Sequence, residues 1–337
     1  MSTSDNCKDG ASKSNDDVCE VSNNLHNMSL NNTDVVVSVC ANCGKEGAKN
    51  ICNKCNQVKY CNAVCKKKNR HKHKKECEEH CRLAAEHAAE LHEKELFKQP
   101  PPKEDCPICF QQLPTLWTGR RYQSCCGKMI CCGCAYAPVY DNQGNKVDNQ
   151  KCPFCRVPTP TSDEEAMERV TRRVELNDPI AIYSKGVYYR DGANGYPQDY
   201  KKALQNWHRA TELGCVEAYR SIGCAYDLGQ GVEVDTKRAK HYYELAAIGG
   251  DVQARYNIGI SEYKTGNMDR ALKHFMIAAG CGYTCSVKKG IKQLYLEGHA
   301  TKDDYTKALR LYQEYLGEIK SPQRDKAAAA NEEYCYY

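Results

Sequence analysis

Paired cysteines constrain this chain more than any other feature. Of its 24 cysteines, 15 fall at short, ligand-like spacings in two stretches, Cys40–Cys77 and Cys106–Cys155. The other nine (Cys7, Cys19, Cys81, Cys132, Cys215, Cys224, Cys281, Cys285 and Cys335) do not fit those pairs, and beyond Cys155 no Cys-x2-Cys spacing occurs. Thiols this dense call either for an oxidising compartment, where they cross-link, or for a metal. The sequence argues against the first. Met1 to Asn32 is rich in Ser, Asn and Asp and holds no apolar stretch of signal-peptide length. The run Val35-Val36-Val37-Ser38-Val39 is far too short to cross a bilayer. The expectation is an intracellular chain, cytoplasmic or nuclear, neither secreted nor in a membrane, whose reduced cysteines hold zinc.

Length and charge set the outer bounds. The 337 residues allow two or three folded units. The 48 Lys and Arg against 43 Asp and Glu leave a formal charge of +5, which argues against a nucleic-acid coat or an acidic disordered tail. Residues 1–35 carry few apolar groups and no periodicity, so they read as a disordered tail. Asn27-Met28-Ser29 and Asn31-Asn32-Thr33 match the glycosylation triplet, which in an Asn-rich intracellular tail is a chance match.

The first stretch orders its ligands as Cys40-x2-Cys43, Cys52-x2-Cys55, Cys61-x3-Cys65 and His73-x3-Cys77. Four pairs give eight ligands, enough for two tetrahedral zinc ions. The Cys-x2-Cys pairs suit tight knuckles, and the i,i+4 pairs put both ligands on one face of a helix. The whole string, with Tyr60 before Cys61, resembles the MYND zinc finger, here over residues 36–80. That resemblance implies interleaved sites: Cys40, Cys43, Cys61 and Cys65 on one ion, Cys52, Cys55, His73 and Cys77 on the other. His71, His80 and Cys81 lie close enough to replace a ligand of the last pair. MYND fingers bind short, often proline-containing peptides, so the resemblance implies recognition and no catalysis. Nothing in the chain resembles the SET methyltransferase domain that accompanies some of these fingers.

Lys66 to Lys75 is the one concentrated basic run; Cys40 to Cys77 holds 11 Lys and Arg against 2 Asp and Glu. A solvated helix face offsetting anionic zinc–thiolate centres accounts for it. A nuclear-import or phosphate-binding patch is the alternative. No aromatic residues interleave the lysines, so base stacking has little support.

Glu78 to Lys98 reads as a helix with an apolar stripe through Leu83, Ala84, Ala88 and Leu91, ended by Pro100-Pro101-Pro102. Residues 81–103 are thus expected to be a connector. Residues 104–158 then hold Cys106-Pro107-Ile108-Cys109, Cys125-Cys126, Cys131-x2-Cys134 and Cys152-Pro153-Phe154-Cys155. This stretch resembles a RING domain of all-cysteine type, which implies cross-braced sites. Cys106, Cys109, Cys131 and Cys134 would share one zinc; Cys125, Cys126, Cys152 and Cys155 would share the other. The usual Cys-x-His is absent, because Lys128 stands at the histidine position and lysine is a poor ligand. Adjacent Cys125 and Cys126 constrain the backbone, and Cys132 could compensate if one turns away. The resemblance also implies a groove for a ubiquitin-conjugating enzyme, with Ile108 in the first knuckle, Pro153 in the last, and Arg156 bridging enzyme and ubiquitin.

Ser162-Asp163-Glu164-Glu165 opens a helix at 162–176. From 177 to 320 the chain repeats itself. Ala181…Gly186, Ala218…Gly223, Ala254…Gly259 and a weaker Cys285…Gly290 each precede a second helix marked by Ala203, Ala239, Ala271 or Ala308. Spacings of 36, 32 and 37 residues between those alanines fit a helix-pair solenoid. The mid-helix glycines cost stability unless a neighbouring helix approaches closely there. Together with Gly229-Gln230-Gly231 and Asp199-Tyr200-Lys201-Lys202-Ala203, the pattern resembles Sel1-like repeats, cousins of the tetratricopeptide repeat. The fourth repeat departs at its first helix and reads as a cap. Most tyrosines there are expected to pack between helices, and 321–337 reads as a frayed tail.

The expected architecture is mainly α: two small zinc-stabilised modules, then an α-α solenoid of about four Sel1-like repeats. The expected function is a zinc-binding scaffold or adaptor acting on protein partners in ubiquitin-dependent regulation. The alternatives are a RING-type ubiquitin ligase recruiting substrate through finger or solenoid, and a nuclear transcription-associated regulator. No catalytic residue, membrane partner or nucleic-acid partner is expected.

Overall fold

The computed structural model describes residues 38–137, 145 and 151–336. The N-terminal tail with Cys7, Cys19 and both Asn triplets lies outside them. The chain divides into two compact units, 1–89 and 90–337.

The described part of the first unit is built on knuckles and one helix. Strands β1 (Asn50–Ile51) and β2 (Lys59–Tyr60) pair antiparallel and carry Cys52 and Cys61 at their ends. Helix α1 (Ala63–Leu96) then begins, with Asn62 Oδ1 accepting the Cys65 amide at 2.9 Å. Cys61 therefore precedes the helix; only Cys65, His73 and Cys77 are on it. Asn69, His73 and Cys77, four residues apart, form its buried face, while Lys67, Lys68, Arg70, Lys72, Lys74 and Lys75 are exposed. The buried cluster is Cys40, Cys52, Cys55 and Cys77 with only Ala48 and Tyr60 added. So small an apolar core cannot offset chain entropy without another source of stability.

The expected connector is helical as far as Leu96, as part of α1. The helix is one continuous element of 34 residues, but its apolar stripe is not buried: Leu83 is 48% and Leu91 47% exposed, and Ala84 and Ala88 are exposed too. Periodicity reveals an apolar face, not a partner to cover it.

In the second unit, β3 (Arg120–Gln123) and β4 (Lys128–Cys131) make an antiparallel hairpin, followed by the short α2 (Cys132–Tyr136). Helix α3 (Asp163–Glu175) starts at Ser162, whose hydroxyl accepts from the Glu165 amide while Glu165 accepts from the Thr161 amide. The helix pairs follow: α4 (Pro179–Asp191) with α5 (Tyr200–Glu212), α6 (Val216–Leu228) with α7 (Thr236–Ile248), and α8 (Val252–Lys264) with α9 (Met268–Gly280). Asp178, Asp199, Asp235 and Asp251 cap four of these helices, each accepting an early backbone N–H. The fourth pair is a π-helical segment (Ser286–Ile291) running into α10 (Lys292–Leu296), then α11 (Lys302–Ile319).

The repeat glycines do what their phase predicts. A Cβ on Gly186 would lie 2.4 Å from the Trp207 ring, and one on Gly223 2.7 Å from Tyr243. Each aromatic stands four residues after the marker alanine, one turn along the same helix face. Close approach of the paired helices therefore depends on a small residue opposite a large ring.

The C-terminal segment is not a frayed tail. Pro322–Ala330 forms helix α12, packed on α2, with Arg324 fully buried and Tyr336 also in the interior. The cysteine module of residues 104–158 is joined to the solenoid at several points. The Trp117 ring meets Tyr183 edge-on at 5.8 Å, Tyr122 donates to Asp178 at 2.7 Å, Arg120 pairs with Glu217 at 3.0 Å, and the Thr115 amide donates to the Tyr315 hydroxyl at 2.8 Å. Module, solenoid and C-terminal helix share one interior.

Candidate metal centres

Four local turns position the ligands, and they are built alike. After Cys40-x2-Cys43, Cys52-x2-Cys55, Cys106-x2-Cys109 and Cys152-x2-Cys155, the next residue takes positive φ: Gly44, Asn56, Phe110 and Arg156. Its amide donates to the carbonyl of the first cysteine at 2.9–3.0 Å in all four. That bond closes a tight loop and turns both sulfurs inward. Gly and Asn take this left-handed conformation readily, whereas Phe110 and Arg156 hold it against side-chain sterics. Phe110 is also 78% exposed. This strain was not foreseen; a large residue directly after a Cys-x2-Cys knuckle is the signal for it.

The ligand atoms meet in four groups, each within 4.8 Å: Cys40, Cys43, Cys61 and Cys65; Cys52, Cys55, His73 and Cys77; Cys106, Cys109, Cys131 and Cys134; Cys125, Cys126, Cys152 and Cys155. Cys43 and Cys61 are 3.6 Å apart, Cys52 and Cys77 3.7 Å, Cys109 and Cys131 3.8 Å, and Cys126 and Cys152 3.9 Å. These distances far exceed a disulfide bond. They match the edge of a tetrahedron with Zn–S bonds of about 2.3 Å, roughly 3.8 Å. In the second group the Cys55 sulfur lies 3.3 Å from His73 Nε2, and His73 Nδ1 faces the Glu76 carboxylate at 3.6 Å.

The donor chemistry fits a dication. Protons alone make four crowded sulfurs unequal. Burial opposes ionisation of Cys40, but backbone amides around Cys61, Asn42 and Cys43 bring its thiol down to about 6. The Cys65 sulfur and burial push Cys61 up to about 12. In the third group, hydrogen bonds with Cys131 and Cys134 pull Cys106 down, and Cys106 and Cys131 drive Cys134 up. Such splitting is what like groups do when charge cannot be shared. A divalent ion between them would let all four deprotonate.

The residues that spacing left ambiguous take distinct places. Cys125 and Cys126 both point into the fourth group; Cys132 is buried instead against Tyr315, Ile319 and Tyr336. His71, His80 and Cys81 belong to no group among the described residues. Gly127 turns the chain after Cys126 at φ +71°, with the Arg173 guanidinium so near that a Cβ would collide. Lys128 stands on β4 with its ammonium 6.0 Å from the Phe154 ring centre, outside the ligand set. Ile108 and Pro153 are half-buried and Arg156 is exposed.

Comparison with known proteins agrees with two of the three modules. The model of the MYND finger matches residues 40–77, and that of the Sel1 repeat matches 179–215, 216–251 and 290–314. An uncharacterized protein of Neisseria meningitidis serogroup B is 27% identical over 48% of this chain and 34% of its own length. The ERAD-associated E3 ubiquitin-protein ligase component HRD3B of Arabidopsis thaliana is 29% identical over 33% of this chain and 18% of its own. The chain therefore spans about a third or less of those relatives. Among solved structures, a Sel1 repeat protein from Oxalobacter formigenes is 30% identical, with a TM-score of 0.41 over 48% of this chain and 66% of that one. A protective antigen of uropathogenic Escherichia coli with an SLR fold is 21% identical, with a TM-score of 0.41 over 60% and 44%. The chain thus carries a zinc-binding MYND finger at 40–77 and helix-pair Sel1 repeats between 179 and 314.

Proposed function

We propose that this protein is a zinc-organised adaptor that gathers protein partners through its finger and its solenoid. The observation that carries this reading is that one chain holds both a MYND finger and Sel1 repeats, each a protein-interaction module. In the reading each of the four ligand groups holds one Zn2+. The thiolates supply charge and the ion supplies cross-links that the small apolar cores cannot.

Peptide display against the zinc-loaded chain tests it. An adaptor selects discrete sequences through its finger, and Cys52→Ser abolishes that selection while the solenoid stays folded. Selection no better than on chelator-treated protein would contradict the reading.

A second reading is favoured by one local feature. Arg156 is exposed and held in a strained conformation directly after the last knuckle, in a module whose first knuckle presents Ile108. Rigid, multi-donor arginine at that place suits bridging two proteins, as in ubiquitin-ligase RING domains. One relative also carries an E3 ligase component's name. Discharge of ubiquitin from charged conjugating enzymes by the full chain, lost in Ile108→Ala and Arg156→Ala, supports this reading. No discharge by a zinc-loaded chain leaves the adaptor alone.

A further inference from the structure

The fourth repeat breaks the pattern of the other three, and it does so beside a cleft. Its first helix is π-helical from Ser286 to Ile291, a geometry rare enough that it marks either strain or use. Gly290 within it lies so close to Phe275 that a Cβ would be 2.8 Å from the ring, and Gly259 grips the same ring from the third repeat. Phe275 thus takes two glycines where Trp207 and Tyr243 each take one of the marker glycines.

A cleft of about 430 Å³ opens between the first helices of repeats three and four. Tyr256, Ile260, Tyr263 and Phe275 line its apolar side, and Leu296, 67% exposed, stands at one end. Lys288, Lys289 and Lys292 line the other side. All three are exposed, and among the described residues none makes an ion pair. No carboxylate lines the cleft; Glu297, nearby, is already held by Tyr263 and Gln293. Three like charges within the five residues Lys288 to Lys292 repel one another, and no ion pair among the described residues offsets them.

We infer that this cleft is a docking site for an acidic segment of a partner protein, with one apolar side chain seated against Tyr256 and Tyr263 and its carboxylates facing Lys288, Lys289 and Lys292. The inference rests on the adaptor reading and names where the solenoid binds and what charge it selects. Charge complementarity identifies the occupant. The lysines edge one side of a cleft sized for an anchor residue, and they do not track along the array as a nucleic-acid backbone requires. Such a site draws its partner electrostatically, so binding weakens with salt.

The test uses the zinc-loaded full chain and a fluorescein-labelled ten-residue peptide with a central Phe flanked by Asp and Glu, followed by anisotropy. The expected result is saturable binding that falls at least fivefold in Lys288→Glu/Lys292→Glu, with an unchanged circular dichroism spectrum. Lys201→Glu, an exposed charge reversal on α5, leaves it unchanged. Absence of saturable binding, equal loss in both variants, or tighter binding of a single-stranded oligonucleotide overturns the inference. Because peptide selection by the finger is read separately, such a failure leaves the adaptor reading standing.

Discussion

Arg324 reaches from the C-terminal helix into the cysteine module and donates from Nη2 to the Gln112 carbonyl at 2.9 Å, while Nη1 donates to the Ile319 carbonyl at 2.6 Å. Its guanidinium is fully buried and, among the described residues, pairs with no carboxylate; burial opposes its charge, and the Cys131 and Cys109 thiols favour it. A buried cation without an acidic partner is costly unless an anion lies near. In the proposed reading, a zinc ion held by the four thiolates of Cys106, Cys109, Cys131 and Cys134 would be that anion, with a net charge of −2.

Arg324→Met keeps most of the volume and removes the charge and the hydrogen bonds. It should lower stability by about 2–4 kcal/mol, because the Ile319 and Gln112 carbonyls stay buried without donors. Zinc should also leave the 104–158 module faster under chelator, while release from residues 40–77 is unchanged. Denaturant unfolding and chelator competition check both.

Gly259→Ala should destabilise by about 1–3 kcal/mol, since its Cβ would lie 2.4 Å from Phe275 in a packed interior. Gly317→Ala on α11 is the control: nothing lies within 4 Å of its Cβ, so it should stabilise by about 0.5–1 kcal/mol. Equal effects from the two would show that helix propensity, not ring packing, sets the cost.

His274 is fully buried with both ring nitrogens unpartnered. Burial, then Arg255 and Arg270, lowers it to about 3; Glu262 and Lys240 also face it. Its folded value thus lies below the unfolded value of about 6.5, so the unfolded chain binds the proton first. The stability this neutral ring contributes is complete above about pH 6.5 and is lost as pH falls from there towards 3. Between pH 6.5 and 5 the wild type should lose about 2 kcal/mol more than His274→Leu, at roughly 1.4 kcal/mol per pH unit. Parallel pH profiles for the two proteins would count against this account.

Cys132 lies beside the ligands Cys131 and Cys134 yet packs against Tyr315 and Tyr336. Cys132→Ser should leave the zinc content unchanged and cost about 1–3 kcal/mol, through a hydroxyl buried without a partner. Loss of a zinc ion in that variant would return Cys132 to the ligand set.

Much of this structure is written in short-range spacing, and the four cysteine-rich groupings could be anticipated because a knuckle is local. Cys40-x2-Cys43 or Cys152-x2-Cys155 needs only one turn and one backbone hydrogen bond to form. The repeats could be read for a related reason: a glycine such as Gly186 or Gly223 recurs at fixed phase because one ring must fit against it. What stayed hidden depends on long-range partners. In sequence, Arg324 in Pro322–Ala330 looks like a surface cation; only Gln112 and Ile319 make it an interior residue. The exposure of the stripe through Leu83 and Leu91 was hidden too, because an apolar face in sequence does not say whether anything covers it. The strained turns at Phe110 and Arg156 were missed because propensity points away from positive φ for such residues.

In the proposed reading four separate ligand groups each organise one metal ion, two in the first unit and two in the second. Native mass spectrometry of the full chain, purified without added metal chelator, tests it most directly. Four zinc ions per chain, falling to three in Cys125→Ser and in Cys52→Ser, is the predicted result. Two ions per chain, both lost when residues 40–77 are mutated and unaffected by Cys125→Ser, would contradict it and leave the second cysteine module without its metal.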